Sequence, residues 1–263
     1  MLAENIIKIA HMDNHACYKE LQKLGFSADN VFWKNYLKQW PEDTSDIHQK
    51  ILMQYLCEQE IREASRKAIF KPSQKKAVKA IEKFLEGNKR AASTKGRPVF
   101  WHYYRDGENI VYTNCHMLGV ITKADSNGVD EKYNLSNIEA TFPDYKKVIP
   151  VFDGSQETTT IKYEDVLAIH KMNKLKKDDY DICIIKYGNN IGAYRADYLL
   201  HCFDVLGAKE ITMERKDIIT EPPKGQEGTP QNLQAAKVTA EGKDSYFVIT
   251  PIRLSSEQIK AAS

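Results

Sequence analysis

The side chains that could carry acid–base or metal chemistry are dispersed along this sequence. Of its seven histidines, His11 and His15 stand four residues apart, as two metal ligands on one helix face would, but no third or fourth ligand is evident. The carboxylates Asp178, Asp179 and Asp181 lie around the start of a predicted strand, with no spacing that favours catalysis. The phosphate-binding loop, the dinucleotide-binding glycine pattern and the HExxH and GxSxG motifs are absent. We therefore predict a protein that is not an enzyme and has neither a metal nor another cofactor, with a metal-dependent nuclease as the enzymatic alternative.

One arrangement in the sequence does suit phosphate binding, and it is a row of lysines. Lys75, Lys79 and Lys83 recur every four residues, so a helix over residues 73–90 places them in one stripe. DNA phosphates would relieve the repulsion between these like charges and would release counterions. A solvated helix face is the commoner explanation of such a run, and a DNA-binding face is the alternative. The candidate DNA contacts, on this helix and around a second predicted helix, are Lys75, Lys76, Lys79, Lys83, Lys171 and Lys174.

The composition is that of a soluble globular protein. The 263 residues are 42% hydrophobic and 28% charged, which suits one large or two ordinary domains. The net charge is only +2, so any contact with nucleic acid must come from local patches. The five cysteines are scattered without CxxC spacing, which indicates free thiols in a reducing compartment. Because no apolar run could cross a bilayer and the first residues do not resemble a secretory signal, we predict a cytoplasmic protein.

The pattern along the chain predicts four segments. Residues 1–72 are predicted to form a helical N-terminal region, because apolar residues recur there at helical spacing and Pro72-Ser73 marks a boundary. Residues 73–150 and 151–255 are predicted to contain a degenerate repeat of helices and strands, and 256–263 a flexible tail. The predicted elements are, in order, helix 74–85, strands 98–104 and 109–112, helix 163–172, strand 180–187, helix 196–206, and strands 210–215, 235–240 and 246–252.

Three short segments resemble, in this order, the signature sequences of bacterial sliding clamps, the beta subunits of the replicative DNA polymerase. They are Thr113–Leu118 (TNCHML), Phe142–Pro150 (FPDYKKVIP) and Tyr246–Leu254 (YFVITPIRL); clamps have TDGHRLA, FPDYRRVLP and a closing YxxMPMRL. Tyr194–Leu200 (YRADYLL) is similar to the clamp step from strand to helix. The resemblance implies an α+β fold of repeated strand–helix–strand units with antiparallel sheets. It also implies helices that face DNA and a non-enzymatic role in DNA replication or repair.

The same resemblance implies a hydrophobic peptide-binding cleft. In clamps this cleft receives short linear motifs of polymerases and other DNA-metabolism proteins, and it buries their apolar side chains. Such proteins, and double-stranded DNA contacted through its phosphates, are the implied partners. Carried across motif by motif, the cleft residues are Thr113, His116, Leu118, Pro143, Lys147, Val148, Tyr198, Thr250, Pro251, Ile252 and Arg253.

The sequence also departs from the clamp pattern. Met117 stands where clamps have arginine, Asn114 and Cys115 replace Asp-Gly, and Thr250 replaces a cleft methionine. The stretch between the first two signature segments is shorter than a clamp domain needs. The resemblance therefore implies a divergent, shortened clamp of phage or mobile-element type that acts as a monomer or as an unusual oligomer. The alternative is a protein-interaction or structural module that keeps the fold and no longer binds DNA.

Overall fold

The computed structural model describes residues 72–152, 154, 156–176, 181–188, 190–220, 230–256 and 258–259. The predicted helical region 1–72 lies outside these residues, except for Pro72. The α-helices of the described part are α1 (Gln74–Asn88), α2 (Lys123–Ser126), α3 (Tyr163–Lys176) and α4 (Ala196–Leu206). Short 3-10 helices cover Pro98–Trp101, Glu131–Tyr133, Leu135–Asn137 and Tyr145–Val148. The strands are β1 (Tyr104–Asp106), β2 (Asn109–Thr113), β3 (Met117–Ile121), β4 (Gln156–Lys162), β5 (Ile182–Tyr187), β6 (Asn190–Arg195), β7 (Glu210–Lys216), β8 (Ala236–Thr239) and β9 (Tyr246–Ile249).

Seven of these strands form one antiparallel sheet in the order β1-β2-β3-β9-β8-β7-β4, and β5 pairs with β6 in a separate sheet. The pairing of β3 with β9 joins two of the signature segments and sets Leu118 opposite Val248. Strands from 73–150 and from 151–255 therefore share one sheet. The predicted α+β class with antiparallel sheets is confirmed.

The two faces of the large sheet are covered by different parts of the chain. On the helix face, side chains such as Met117 and Phe247 pack against α1, α3 and α4. On the outer face, Leu118 and Val248 pack against apolar residues of the loop 138–149. Successive side chains of a strand point to opposite faces, so neighbouring residues of β3 and β9 serve different layers.

Helix α1 forms because its sequence supplies both a cap and an apolar stripe. The Ser73 hydroxyl accepts a hydrogen bond from the backbone N–H of Lys76 at 3.1 Å, which satisfies one of the unpaired donors at the helix start. Ala77, Ile81 and Leu85 recur every four residues and are buried. Lys75, Lys79 and Lys83 lie on the side of the helix that is left exposed, so the apolar stripe positions the lysine stripe. Helix α4 lies against both α1 and α3.

An aromatic cluster fills the helix face around Gly119. A Cβ at this position would lie 2.9 Å from ring atoms of both Phe247 and Tyr112, so a larger residue would displace these rings. The Tyr112 hydroxyl is hydrogen-bonded to Nε2 of His201 at 2.8 Å. Burial lowers the pKa of His201 to about 3, so its imidazole is neutral in the folded protein near pH 7.

A buried ion pair ties the two-stranded sheet to the large one. Arg215 of β7 is fully buried, and its Nε donates to the Glu157 carboxylate at 2.7 Å. Its other N–H groups donate to the backbone carbonyls of Asn232 and Ile191, each at 3.2 Å. The guanidinium also lies 4.0 Å from the centre of the Tyr187 ring. Because Ile191 and Tyr187 belong to β6 and β5, one side chain connects both sheets.

Two predicted strands differ from the structure for reasons that involve proline. Pro98–Trp101 is a 3-10 helix, and β1 begins only at Tyr104, because proline is favoured at the first position of a helical turn. The last strand ends at Ile249. Pro251 has no N–H to continue the ladder, and Ile252 forms an isolated bridge with Ala193 of β6 instead.

Candidate functional site

The turn between β2 and β3 supplies one wall of a hollow on the outer face. The buried Asn114 side chain accepts hydrogen bonds through Oδ1 from the backbone N–H groups of His116 (3.0 Å) and Met117 (2.8 Å). The Thr113 hydroxyl donates to the Met117 carbonyl at 2.8 Å. Cys115 has a φ of 75°, a left-handed conformation that glycine adopts without strain. These hydrogen bonds therefore fix a turn in which Cys115 adopts an energetically unfavourable backbone conformation.

The loop around residues 142–148 supplies the opposite wall. Phe142 and Tyr145 pack on the outer-face cluster, and the Tyr145 hydroxyl donates to the Asp106 carboxylate. Lys146 Nζ lies 2.9 Å from the same carboxylate. The hydrogen bonds from Tyr145 and Lys146 hold the pKa of Asp106 below its usual value, and burial raises the pKa of Tyr145. A neutral donor and a charged acceptor therefore anchor this loop to β1 at neutral pH.

The hollow between these walls has a cavity volume of about 200 Å³. Leu118 of β3 and Val248 of β9 contribute apolar surface at its base, and both are almost completely buried. Pockets of this character bind ligands by burying their apolar groups. The lining residues are Phe100, Thr113, Cys115, His116, Met117, Leu118, Phe142, Pro143, Asp144, Tyr145, Val148, Ala235, Val248 and Thr250.

Six of the residues predicted for a peptide cleft line this hollow: Thr113, His116, Leu118, Pro143, Val148 and Thr250. They come from all three signature segments. The β3–β9 pairing and the packing of the loop 138–149 on the outer face bring these segments together. Their role in binding a ligand stays a prediction.

Five predicted cleft residues lie outside the lining of the hollow: Lys147, Tyr198, Pro251, Ile252 and Arg253. Lys147 lies at the rim, because its Nζ is 3.1 Å from the carboxylate of the lining residue Asp144. The backbone N–H of Ile252 donates to the carbonyl of Ala193 at 2.8 Å, and this bond holds the segment after Thr250 against β6.

Tyr198 contacts the turn between β2 and β3 on the side away from the hollow. Its hydroxyl accepts a hydrogen bond from Nδ2 of Asn114 at 2.9 Å, and the Arg195 guanidinium lies 4.7 Å from the centre of its ring. Because Tyr198 belongs to α4, it contacts the β2–β3 turn from the helix layer.

Sequence reasoning missed several lining residues, and only some of them had a usable signal. Val248 stands two residues before Thr250, so the period of a strand could have placed both on one face. Phe142, Asp144 and Tyr145 lie within the second signature segment and could have been included with Pro143. Phe100 and Ala235 come from segments distant in sequence and are brought to the hollow by tertiary packing alone.

The predicted DNA contacts lie on helices of the opposite layer. Lys75, Lys79 and Lys83 are exposed on α1, and none of them forms an ion pair with an acidic group among the described residues. Lys76 is different, because its Nζ lies 2.6 Å from the carboxylate of Asp204 on α4. The remaining two, on α3, are the partly exposed Lys171 and the exposed Lys174.

Within the described ranges, no group of three or more His, Cys, Asp and Glu side chains has an arrangement that could hold a metal ion. None of the helices described there combines the length and the apolar character needed to cross a bilayer. The carboxylates Asp178 and Asp179, and the histidines His11 and His15, lie outside the described residues.

The chain matches no protein-family model and no curated protein. Among solved structures it is similar to DNA polymerase III beta chains. The Streptococcus pneumoniae protein shares 13% identity over 67% of this chain, with a TM-score of 0.42. The Pseudomonas aeruginosa sliding clamp shares 13% over 70% with a TM-score of 0.41, and that of C. crescentus 13% over 69% with a TM-score of 0.43.

The matched region spans 63% to 66% of the length of those three chains. A similarity at this level of identity and TM-score assigns neither an activity nor a residue role to this chain.

Proposed function

We propose that this protein is a non-enzymatic, sliding-clamp-like tether of the cytoplasm that serves DNA replication or repair. A partner protein docks a short hydrophobic motif in the hollow on the outer face, while the basic helices on the other face lie near DNA phosphates. The observation that carries the proposal is the convergence of six residues from three sequence-distant signature segments on one apolar hollow.

The hollow suits a peptide with apolar anchors. Leu118 and Val248 offer buried apolar surface at its base, and Val148 at its edge is 57% exposed. A peptide that covers this exposed valine gains binding free energy, because each Å² of apolar surface that is buried contributes about 25 cal/mol. Asp144 and Lys147 at the rim offer charges that can orient the polar groups of a peptide.

The peptide-binding arm is tested with two pairs of matched variants. The peptide is labelled with fluorescein and carries a hydrophobic clamp-binding motif. Val148→Asp is expected to weaken its binding by about tenfold or more, because the substitution removes an apolar contact and introduces a charge that the bound peptide would cover. Val151→Asp, three residues further along at a site that is 73% exposed and outside the lining, should bind like the unmodified protein. Fluorescence polarisation measures both.

The second pair separates binding from folding. Leu118→Ala removes a lining side chain, whereas Val120→Ala truncates a residue of the same strand and the same outer-face cluster that does not line the hollow. Only the first should weaken the peptide, although both should lower stability. No binding to the unmodified protein, or equal binding by the two members of each pair, would remove the peptide-binding arm.

The DNA arm predicts a particular salt dependence. Each phosphate contact contributes about 0.9 to the slope of log K against log salt. The triple variant Lys75→Ala, Lys79→Ala, Lys83→Ala is therefore expected to make the slope for a double-stranded oligonucleotide shallower by about 2.7. The measurement is a polarisation titration at several salt concentrations.

The control for the DNA arm is a triple alanine variant of three lysines away from the helix face, Lys147, Lys216 and Lys237. Lys216 and Lys237 alternate with the buried helix-face residues Arg215 and Ala236 on their strands, so they point to the outer side. This variant should keep the original slope. If the unmodified protein binds no DNA at low salt, the DNA arm is wrong and the protein is an interaction module without DNA.

A further inference from the structure

Asn114 connects a helix of one layer to the hollow of the other. Its Oδ1 accepts hydrogen bonds from the N–H groups of His116 and Met117, and its Nδ2 donates to the Tyr198 hydroxyl at 2.9 Å. Asn114 is almost completely buried, with 5% of the residue's surface exposed. Its orientation therefore depends on partners within the protein, and Tyr198 is its partner on α4.

The turn that Asn114 organises needs such support. Thr113, Cys115, His116 and Met117 all line the hollow, so their positions set the shape of that wall. Cys115 is held at a φ of 75°, a conformation that costs a non-glycine residue about 1 kcal/mol or more. Surrounding contacts must compensate for this cost if the turn is to keep one conformation.

Tyr198 is itself held in place. The Arg195 guanidinium lies 4.7 Å from the centre of the Tyr198 ring, and it donates through Nε and Nη2 to the Asp197 carboxylate. Burial raises the pKa of Tyr198, so its hydroxyl stays neutral. The Tyr198 hydroxyl is therefore a neutral hydrogen-bond partner whose position relative to the Asn114 amide is fixed.

We infer that Tyr198 is a positioning residue for the peptide-binding hollow and acts through Asn114 without touching the ligand. The inference rests on the proposed peptide-binding function. It replaces the expectation from sequence that Tyr198 contacts the peptide directly.

Tyr198→Phe tests the inference, because it removes the hydroxyl and leaves Nδ2 of Asn114 without its partner. We expect the labelled hydrophobic peptide to bind about fivefold more weakly, the loss of roughly one hydrogen bond. The matched control is Tyr187→Phe, which deletes the buried hydrogen bond between the Tyr187 and Tyr194 hydroxyls (3.1 Å), a bond that involves none of the residues of the turn. This control should leave the peptide affinity unchanged.

A double variant that combines Asn114→Asp with Tyr198→Phe tests whether the two residues act together. In Asn114→Asp, one carboxylate oxygen still accepts from the turn N–H groups, and the other can accept from the Tyr198 hydroxyl. Combined with Tyr198→Phe, the same change should weaken binding beyond Tyr198→Phe alone, because a carboxylate oxygen then faces an apolar ring.

The outcomes separate the inference from the proposed function. If Tyr198→Phe binds the peptide as well as the unmodified protein while Val148→Asp loses it, the positioning role is wrong and the hollow stands. If Tyr187→Phe weakens binding as much as Tyr198→Phe, the effect is general destabilisation and the inference is also overturned. If the unmodified protein binds no peptide, the proposed function fails and the positioning role fails with it.

Discussion

Replacing Glu157 with alanine is expected to lower the free energy of unfolding by about 3–5 kcal/mol. The side chains of Arg215 and Glu157 are 0% and 9% exposed, so removing the carboxylate leaves a guanidinium buried without a counter-charge. The Asn232 side-chain amide, which donates to Glu157 at 3.0 Å, loses an acceptor at the same time. Urea denaturation followed by circular dichroism measures the change.

The control for this prediction is a surface pair of the same type. Lys123 and Glu108 lie 2.7 Å apart with side chains 71% and 75% exposed, and Glu108→Ala should cost less than about 1 kcal/mol. Adding Arg215→Met to Glu157→Ala should restore a large part of the lost stability, because it removes the unpaired charge. An effect of Glu157→Ala as small as that of Glu108→Ala would show that the buried ion pair does not stabilise the folded protein.

Acidification is expected to destabilise the protein through His201. Burial lowers the pKa of this side chain from 6.5 to about 3 in the folded protein. Between pH 6.5 and pH 3, His201 is therefore protonated in the unfolded chain and neutral in the folded protein. The stability contributed by the neutral imidazole is complete above pH 6.5 and is lost as the pH falls toward 3. The loss is about 1.4 kcal/mol per pH unit and reaches about 2 kcal/mol at pH 5.

The free energy of unfolding measured between pH 7 and pH 5 tests this expectation. His201→Phe removes the titrating group while keeping an aromatic ring beside Phe84, Tyr112 and Phe247, so its stability should depend less on pH in this window. If His201→Phe retains the full slope, another group is responsible.

The features that could be predicted from the sequence are those encoded over a few neighbouring residues. The helix predicted at 196–206 matches α4, because its apolar residues recur at helical spacing and Gly207 ends it with a φ of 64°. The stripe of Lys75, Lys79 and Lys83 followed directly from their four-residue spacing. The six lining residues followed from short segments that were recognisable as units.

The features that could not be predicted depend on contacts between distant parts of the chain. The burial of Arg215 with Glu157 joins residues that separately look like charges on strand surfaces. Ile252 was predicted to line the cleft with Thr250, but the isolated bridge to Ala193 takes it to β6, and no local pattern encodes that bridge. The bond between Asn114 and Tyr198 likewise spans 84 residues.

Methyl NMR during titration with the hydrophobic peptide tests whether the hollow on the outer face is where the peptide binds. We expect large shifts for the methyl groups of Leu118 and Val248, which line the hollow, and small ones for Ile121 and Ile249, which lie on the same two strands but face the helices. Shifts that favour the helix-face pair, or no shifts at all, would contradict this expectation.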